Sequence, residues 1–153
     1  MLHIKKDILT NKFVKLIEEN YQVIVEHFMN DVLKNEKTSA FRRFDQQKLY
    51  EIGQRICREL SSYVIKDLPK EKVEEYYIKI GKERHSQNVP ASHVFHALVI
   101  LKRHMWLFVR KRMESDLSDY SQALHLNDRI VLFFDRASFA MLKGYEEEME
   151  KMW

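Results

Sequence analysis

In the stretch GKERHSQNVPASHVFHALVILKRHMWLFVRKR, residues 81–112, three of the chain's seven histidines fall within twelve residues, at His93, His96 and His104, with His85 just upstream. Imidazoles at such spacing can ligate a transition metal, hold haem iron from one side, or change charge near neutral pH. A metal site needs its ligands to converge. On a helix turning about 100° per residue, Val94, Ala97, Leu98, Leu101, Met105 and Phe108 form one apolar arc with His93 and His104 together at its edge. His96 falls nearer Arg103 on the polar side, so the three rings do not share the single point a tetrahedral ion requires. HxxH without an HExxH pattern is a weak signal, and histidines that cap, hydrogen-bond or meet solvent fit the spacing better.

One axial ligand is enough for haem, and a helical pocket rich in Phe, Met and Tyr suits it; His93 and His104 are the candidates. The same pocket, drawn from Tyr77, His93, Ala97, Leu101, His104, Met105 and Phe108, also suits a small molecule. Other chemistry finds less support. The run KRHMWLFVRKR is basic at Lys102, Arg103, Arg110, Lys111 and Arg112, but its interleaved residues are the core arc and no second basic element accompanies it, which argues against nucleic acid. No glycine-rich phosphate loop, GxSxG or calcium loop occurs. Cys57 is the only cysteine and lies on a helix interior beside Ile56 and Leu60, so it offers neither a disulfide nor a cysteine zinc site and fits a reducing, cytoplasmic compartment. The acidic GYEEEMEKM reads as a solvated helix face.

The elements that must position these residues are helices. From Asn11 to about Asn35, Phe13, Ile17, Tyr21, Ile24, Phe28 and Val32 recur in steps of three and four. NEKTSAFRRF loses that period, and Asp45 then caps a second helix with Leu49, Ile52, Ile56, Leu60 and Tyr63 inside; Gly53 marks a close helix contact. Pro69 opens a third helix, carrying Val73, Tyr76, Tyr77 and Ile80 to Asn88, and Pro90 or Ser92 opens the fourth, which runs to about Met113. ESDLSDYSQALHL is a polar link with room for one short helix, and Asn127 or Asp128 caps the last helix. Three glycines and two prolines in 153 residues leave little material for the turns of a β fold. The expected architecture is an all-α, single-domain bundle of about five long helices over residues 1–153, or a globin-like packing of them. With 26 basic against 23 acidic residues, the net charge of +3 describes an ordinary surface, and no apolar run approaches the ~20 residues that span a bilayer.

Gly81-Lys82-Glu83-Arg84, a short polar gap, Val89-Pro90 and the helix through Ala97-Leu98-Val99-Ile100-Leu101-Lys102-Arg103 resemble the N-terminal sensor domains of the RsbR-type stressosome co-antagonists, the RsbRD N-terminal domain family. Phe134-Asp135-Arg136-Ala137 followed by Gly144-Tyr145-Glu146 is similar to the family's closing pattern, and the resemblance runs roughly from Phe13 to Glu148. It implies a cytoplasmic, all-α input domain without catalysis or a required cofactor. Such a domain answers an unknown small-molecule signal, usually dimerises, and regulates an output module such as a STAS domain or a histidine kinase. Related input domains look globin-like yet generally lack haem. The chain stops at Met152-Trp153 within helical periodicity, so it is expected to be either a stand-alone sensor or an input domain joined to something else.

Of the signature residues, Gly81, Glu83, Arg84, Pro90, Asp135, Ala137, Gly144 and Tyr145 are expected to serve structure. Glu83 and Arg84 with Asp135 and Arg136 would tie the third helix to the last or cap neighbours, rather than contact a substrate, and Gly144 would mark a bend or a close helix contact. The fourth helix carries a second apolar stripe, Phe95, Val99, Trp106 and Met113, that must be sandwiched in the bundle or meet a partner. Phe28, Met29, Phe133, Phe139 and Trp153 add apolar surface on the first and last helices, which points to a homodimer with Phe133 and Phe139 in its interface.

Overall fold

Steps of three and four between apolar residues become helices wherever one face can be buried, and the chain follows that rule almost throughout. The computed structural model describes residues 2–66, 69–113 and 120–152. Its elements are α1 (Leu2–Lys34), a 3₁₀ segment (Glu36–Arg43), α2 (Gln46–Lys66), α3 (Lys70–Ser86), α4 (Ala91–Arg112) and α5 (Tyr120–Glu150). The fold is all-α, with no strand among the described residues, and side chains from every helix join one apolar core cluster.

Several boundaries depart from the sequence reading. α1 begins well before Asn11, because Leu9 continues the buried stripe of Phe13, Ile17, Ile24, Phe28 and Val32 backwards. NEKTSAFRRF is not a plain link. Asn35 accepts a hydrogen bond from the Lys37 amide at 2.9 Å, Thr38 turns out of helical geometry and donates its hydroxyl to the Val32 carbonyl at 2.6 Å, and Phe41 is buried. Asp45 does cap α2, taking the Gln47 amide at 3.1 Å. α5 starts at Tyr120 rather than at Asn127 or Asp128, which sit exposed within it; Leu126 and Ile130 extend the Phe133, Ala137, Ala140, Met141 stripe upstream, and that burial outweighs the capping preference. Within the proposed polar link, residues 114–119 lie outside the described residues, and so does Trp153.

α4 packs against α1, α3, α5 and the 3₁₀ segment. Its second stripe is partly enclosed: Met113 is buried, Val99 and Trp106 are half-buried and Phe95 is exposed. α3 and α5 form the most extensive helix pair. They cross at Gly81 and Gly144, where the two Cα atoms are nearly in contact: a Cβ on Gly81 would lie 2.1 Å from the Met141 carbonyl oxygen, and one on Gly144 would lie 2.2 Å from that of Ile78. Gly144 is therefore a packing glycine, not a bend point. Gly53 is also at a helix contact, against Val25 and Phe28 of α1, but there the neighbours are side-chain atoms.

Gly81→Ala and Gly144→Ala should each cost about 3 kcal/mol, because backbone cannot move aside without parting two helices. Gly53→Ala should stay within ~1 kcal/mol of the parent, its gain in helix propensity offsetting a side-chain adjustment. Urea unfolding of the three variants checks the ranking.

Candidate functional site

α2 and α3 each turn a mixed face towards α4. On α3 the positions Tyr76, Tyr77, Ile80, Glu83 and Arg84 follow steps of three and four, as do Lys48, Leu49, Ile52, Arg55 and Ile56 on α2. Between these faces and Val94, Ala97 and Leu98 of α4 lies a cavity of about 230 Å³, with Phe28 of α1 and Met141 of α5 also contributing to its wall.

Two polar residues in that wall are buried. Arg84 is 4% exposed. Its Nη1 donates to Gln87 Oε1 at 3.1 Å, and the Glu83 carboxylate is 3.8 Å away. Burial lowers the guanidinium's pKa from its ordinary value, against the opposing pull of Glu83. The Tyr77 hydroxyl is buried without a hydrogen-bond partner, and desolvation pushes its pKa well above the ordinary value. Its ring meets Tyr76 and Phe133 edge-on. At the rim, the Arg55 guanidinium stacks 4.3 Å above the Tyr76 ring.

The turn that follows Arg84 is held from three sides. Asn88 adopts a left-handed conformation (φ 59°), its amide bonds the His85 carbonyl at 3.0 Å, and the Val89 amide reaches back to the Arg84 carbonyl at 3.1 Å. This is the Schellman pattern of a helix end, with Asn in the place glycine usually takes. Arg43 Nη2 donates to the Gln87 and Asn88 carbonyls, both at 3.2 Å, and the buried Tyr145 hydroxyl donates to the Val89 carbonyl at 2.6 Å. Pro90 then stands at the N-cap of α4.

The histidines serve elsewhere. His93 Nδ1 accepts the Ala40 amide at 3.2 Å, so that nitrogen carries no proton, and the ring borders an open groove with Phe95, His96 and Leu142. His104 Nε2 lies 2.8 Å from Asp31 Oδ2 and its ring stacks on His27, tying α4 to α1. An ionised carboxylate only accepts, so this Nε2 holds a proton and is not a free lone pair for iron. Neither histidine reaches the cavity. Of the expected pocket, Tyr77 and Ala97 line it; Leu101, Met105 and Phe108 are buried in the core, and His93 and His104 take the structural positions just described.

Of the two structural roles expected for Arg84, the contacts are the local ones, with Gln87 and Glu83 on its own helix end, and other residues link the helices. Asp135 is exposed, with no ion pair to Arg84 among the described residues, while Arg136 donates to the Tyr63 hydroxyl and joins α5 to α2. α3 and α5 are linked instead by Lys82 and Glu147 at 3.1 Å and by the glycine crossing, with Ala137 fully buried nearby in the stripe. Phe133 is also wholly buried, which removes it from any interface; Phe139 is 62% exposed. Burial raises the Cys57 thiol to about 12, so it is not a thiolate nucleophile at neutral pH. Among the described residues, no three His, Cys, Asp or Glu side chains are grouped to hold a metal ion, and no helix is long and apolar enough to cross a membrane.

Sequence reasoning missed Arg84 as a cavity residue. The available signal was its phase: it follows Tyr77 and Ile80 on the apolar side of α3, where a charge needs a reason. Residues 54–153 match the family described as RsbT co-antagonist protein rsbRD N-terminal domain, a span that begins later than the resemblance suggested and leaves α1 outside it. No curated protein and no solved structure matches the chain.

Tyr145→Phe should lose about 1–3 kcal/mol by leaving the buried Val89 carbonyl unpaired, whereas Tyr77→Phe should be neutral or stabilising because its hydroxyl has no partner to lose. Thermal melts of the two variants give the comparison. Burial raises Cys57 and Tyr145 from 9.0 and 10.0 to about 12 each. Their contribution to stability is whole below the unfolded values and falls as pH rises through the folded ones. Urea midpoints measured from neutral pH to about pH 12 should fall, and the fall should be shallower in Cys57→Ala.

Proposed function

We propose that the chain, which belongs to the RsbT co-antagonist protein rsbRD N-terminal domain family, is a cytoplasmic signal-input domain that works by binding and shape change rather than by catalysis. Its output is a regulated module such as a STAS domain or a histidine kinase. The observation that carries this reading is the path from the cavity to the last helix. Met141 of α5 forms part of the cavity wall, and its carbonyl oxygen is the atom packed against Gly81. A ligand that favours one seating of α3 against α5 would shift α5 as a rigid rod, since a contact between two backbones leaves no compressible side chain to absorb the change.

Dimerisation belongs to the same proposal. Leu132, Phe139 and Leu142 lie on α5 at spacings that place them along one side, all exposed, and the exposed Phe95 of α4 shares a groove with Leu142. Pairing two copies through this stripe would set two α5 helices side by side, the arrangement that delivers a helix shift to a dimeric output.

Phe139→Glu should convert the dimer to a monomer, read by light scattering at micromolar concentration, with the melting temperature of the folded chain little changed. Phe133→Glu should instead prevent folding, because it buries a charge in the core. Added to a partner histidine kinase or STAS-domain protein, the native chain should alter autophosphorylation or phosphorylation, and Phe139→Glu should weaken the effect. A folded, dimeric chain that changes neither output would sink the input-domain reading.

A further inference from the structure

The cavity between α2, α3 and α4 holds polar capacity that the protein's own packing does not use. A guanidinium has five N–H donors. Among the described residues, Arg84, 4% exposed, donates from Nη1 to Gln87, and Glu83 at 3.8 Å is beyond hydrogen-bond length. Two turns earlier on the same helix, the Tyr77 hydroxyl is buried with no partner. A buried hydroxyl left unpaired costs stability, and a buried guanidinium beside an open volume can still take an acceptor, so the two together suit a polar ligand from outside the chain. Lys48, Arg55 and Arg84 stand in the wall with Glu51 and Glu83, and Arg55 also lies 3.9 Å from the Glu59 carboxylate, so Arg84 is distinguished from the other basic groups by its burial.

Size and spacing narrow the chemistry. An apolar cavity of about 150 Å³ accepts benzene, so the roughly 230 Å³ here suits a molecule of roughly ten non-hydrogen atoms. Seven residues separate Tyr77 from Arg84, or roughly 10 Å along the helix, so one polar group cannot reach both. The walls between are apolar: Phe28, Leu98 and Met141. We infer that the cavity binds a small aromatic acid with a second polar group at its far end, the carboxylate on the Arg84 fork and the far group on the Tyr77 hydroxyl. The planar fork of Arg84 supplies the two-point geometry for a carboxylate that a lysine would not.

This assignment deepens the input-domain reading by naming a class of signal, yet it is tested by binding alone, without an output module. The probe is 4-hydroxyphenylacetate, titrated calorimetrically into the full chain beside phenylacetate and 4-hydroxyphenylacetamide. The native protein should bind the hydroxy acid in the micromolar to millimolar range and the amide roughly 10- to 100-fold more weakly, as expected for loss of a charge-assisted pair. Phenylacetate should bind several-fold more weakly than the hydroxy acid, and Tyr77→Phe should erase that difference while keeping the preference for acid over amide. Arg84→Met should erase the acid preference, and Arg84→Lys should retain part of it; circular dichroism of each variant establishes that it is folded. If the native chain binds none of the three at millimolar concentration, or binds acid and amide equally, the inference is wrong, whatever the variants do. A normal effect on kinase or STAS output alongside that failure would leave the input-domain reading standing and remove only the ligand class.

Discussion

The contact between Gly81 and Gly144 sets the geometry of the rest. Where a Cβ on either residue would come within about 2 Å of a carbonyl oxygen on the other helix, no residue but glycine lets α3 and α5 approach so closely. That approach brings Met141 to the edge of the cavity, aligns Lys82 with Glu147, and carries Tyr145 to the turn between α3 and α4. The third glycine, Gly53, performs the milder version of the task for α1 and α2. All three glycines of the chain thus stand at helix crossings, and none is spent on a turn, where Asn88 takes the left-handed position instead.

Around that crossing, polar groups are divided between those that fasten the fold and those left available. Arg43, Tyr145 and the reversed amides of Asn88 and Val89 bond the carbonyls at the end of α3 and in the turn after it, so a turn that links two core helices is held by the chain's own donors. Arg129 and Arg136 fasten α5 to Tyr63 of α2, and His104 with Asp31 fastens α4 to α1. Arg84 and Tyr77 differ in kind: both are buried beside an open volume, and the Tyr77 hydroxyl has no hydrogen-bond partner among the described residues. A protein that only needed a filled core would place apolar side chains at those two positions, and it is on them that the proposed ligand site rests.

In the proposed function, response and transmission meet at α5. The helix is apolar and fully packed on the side of Phe133, Ala137, Ala140 and Met141, and carries Leu132, Phe139 and Leu142 towards solvent. A rod with one face set by backbone contact and another free to meet a second copy can transmit a displacement with little loss along its 31 residues. Its stiffness comes from the same glycine contact, since helix against helix is harder to deform than side chain against side chain.

The alternation of apolar residues determined on its own that the chain is helical, that it forms five long α-helices, and which side of each is buried, though not the 3₁₀ segment: Phe13, Ile17, Ile24, Phe28 and Val32 on α1, and the arc from Val94 to Phe108 on α4, are inside as their spacing requires. Periodicity can do this because burial of a helix face is a property of the segment and its own pitch. The family, too, was legible, from Gly81-Lys82-Glu83-Arg84 and Asp135-Arg136-Ala137 with Gly144-Tyr145. Only the tertiary structure decided what these residues meet. Arg84 faces Gln87 and the cavity rather than Asp135, Phe133 is core rather than surface, and the cavity gathers Tyr77 and Ala97 with residues of α2 while leaving His93 and His104 outside. Helical phase fixes the direction in which a side chain leaves its helix, but the partner it finds depends on how closely and at what level another helix passes, and here that was set by two glycines that are 63 positions apart in the chain.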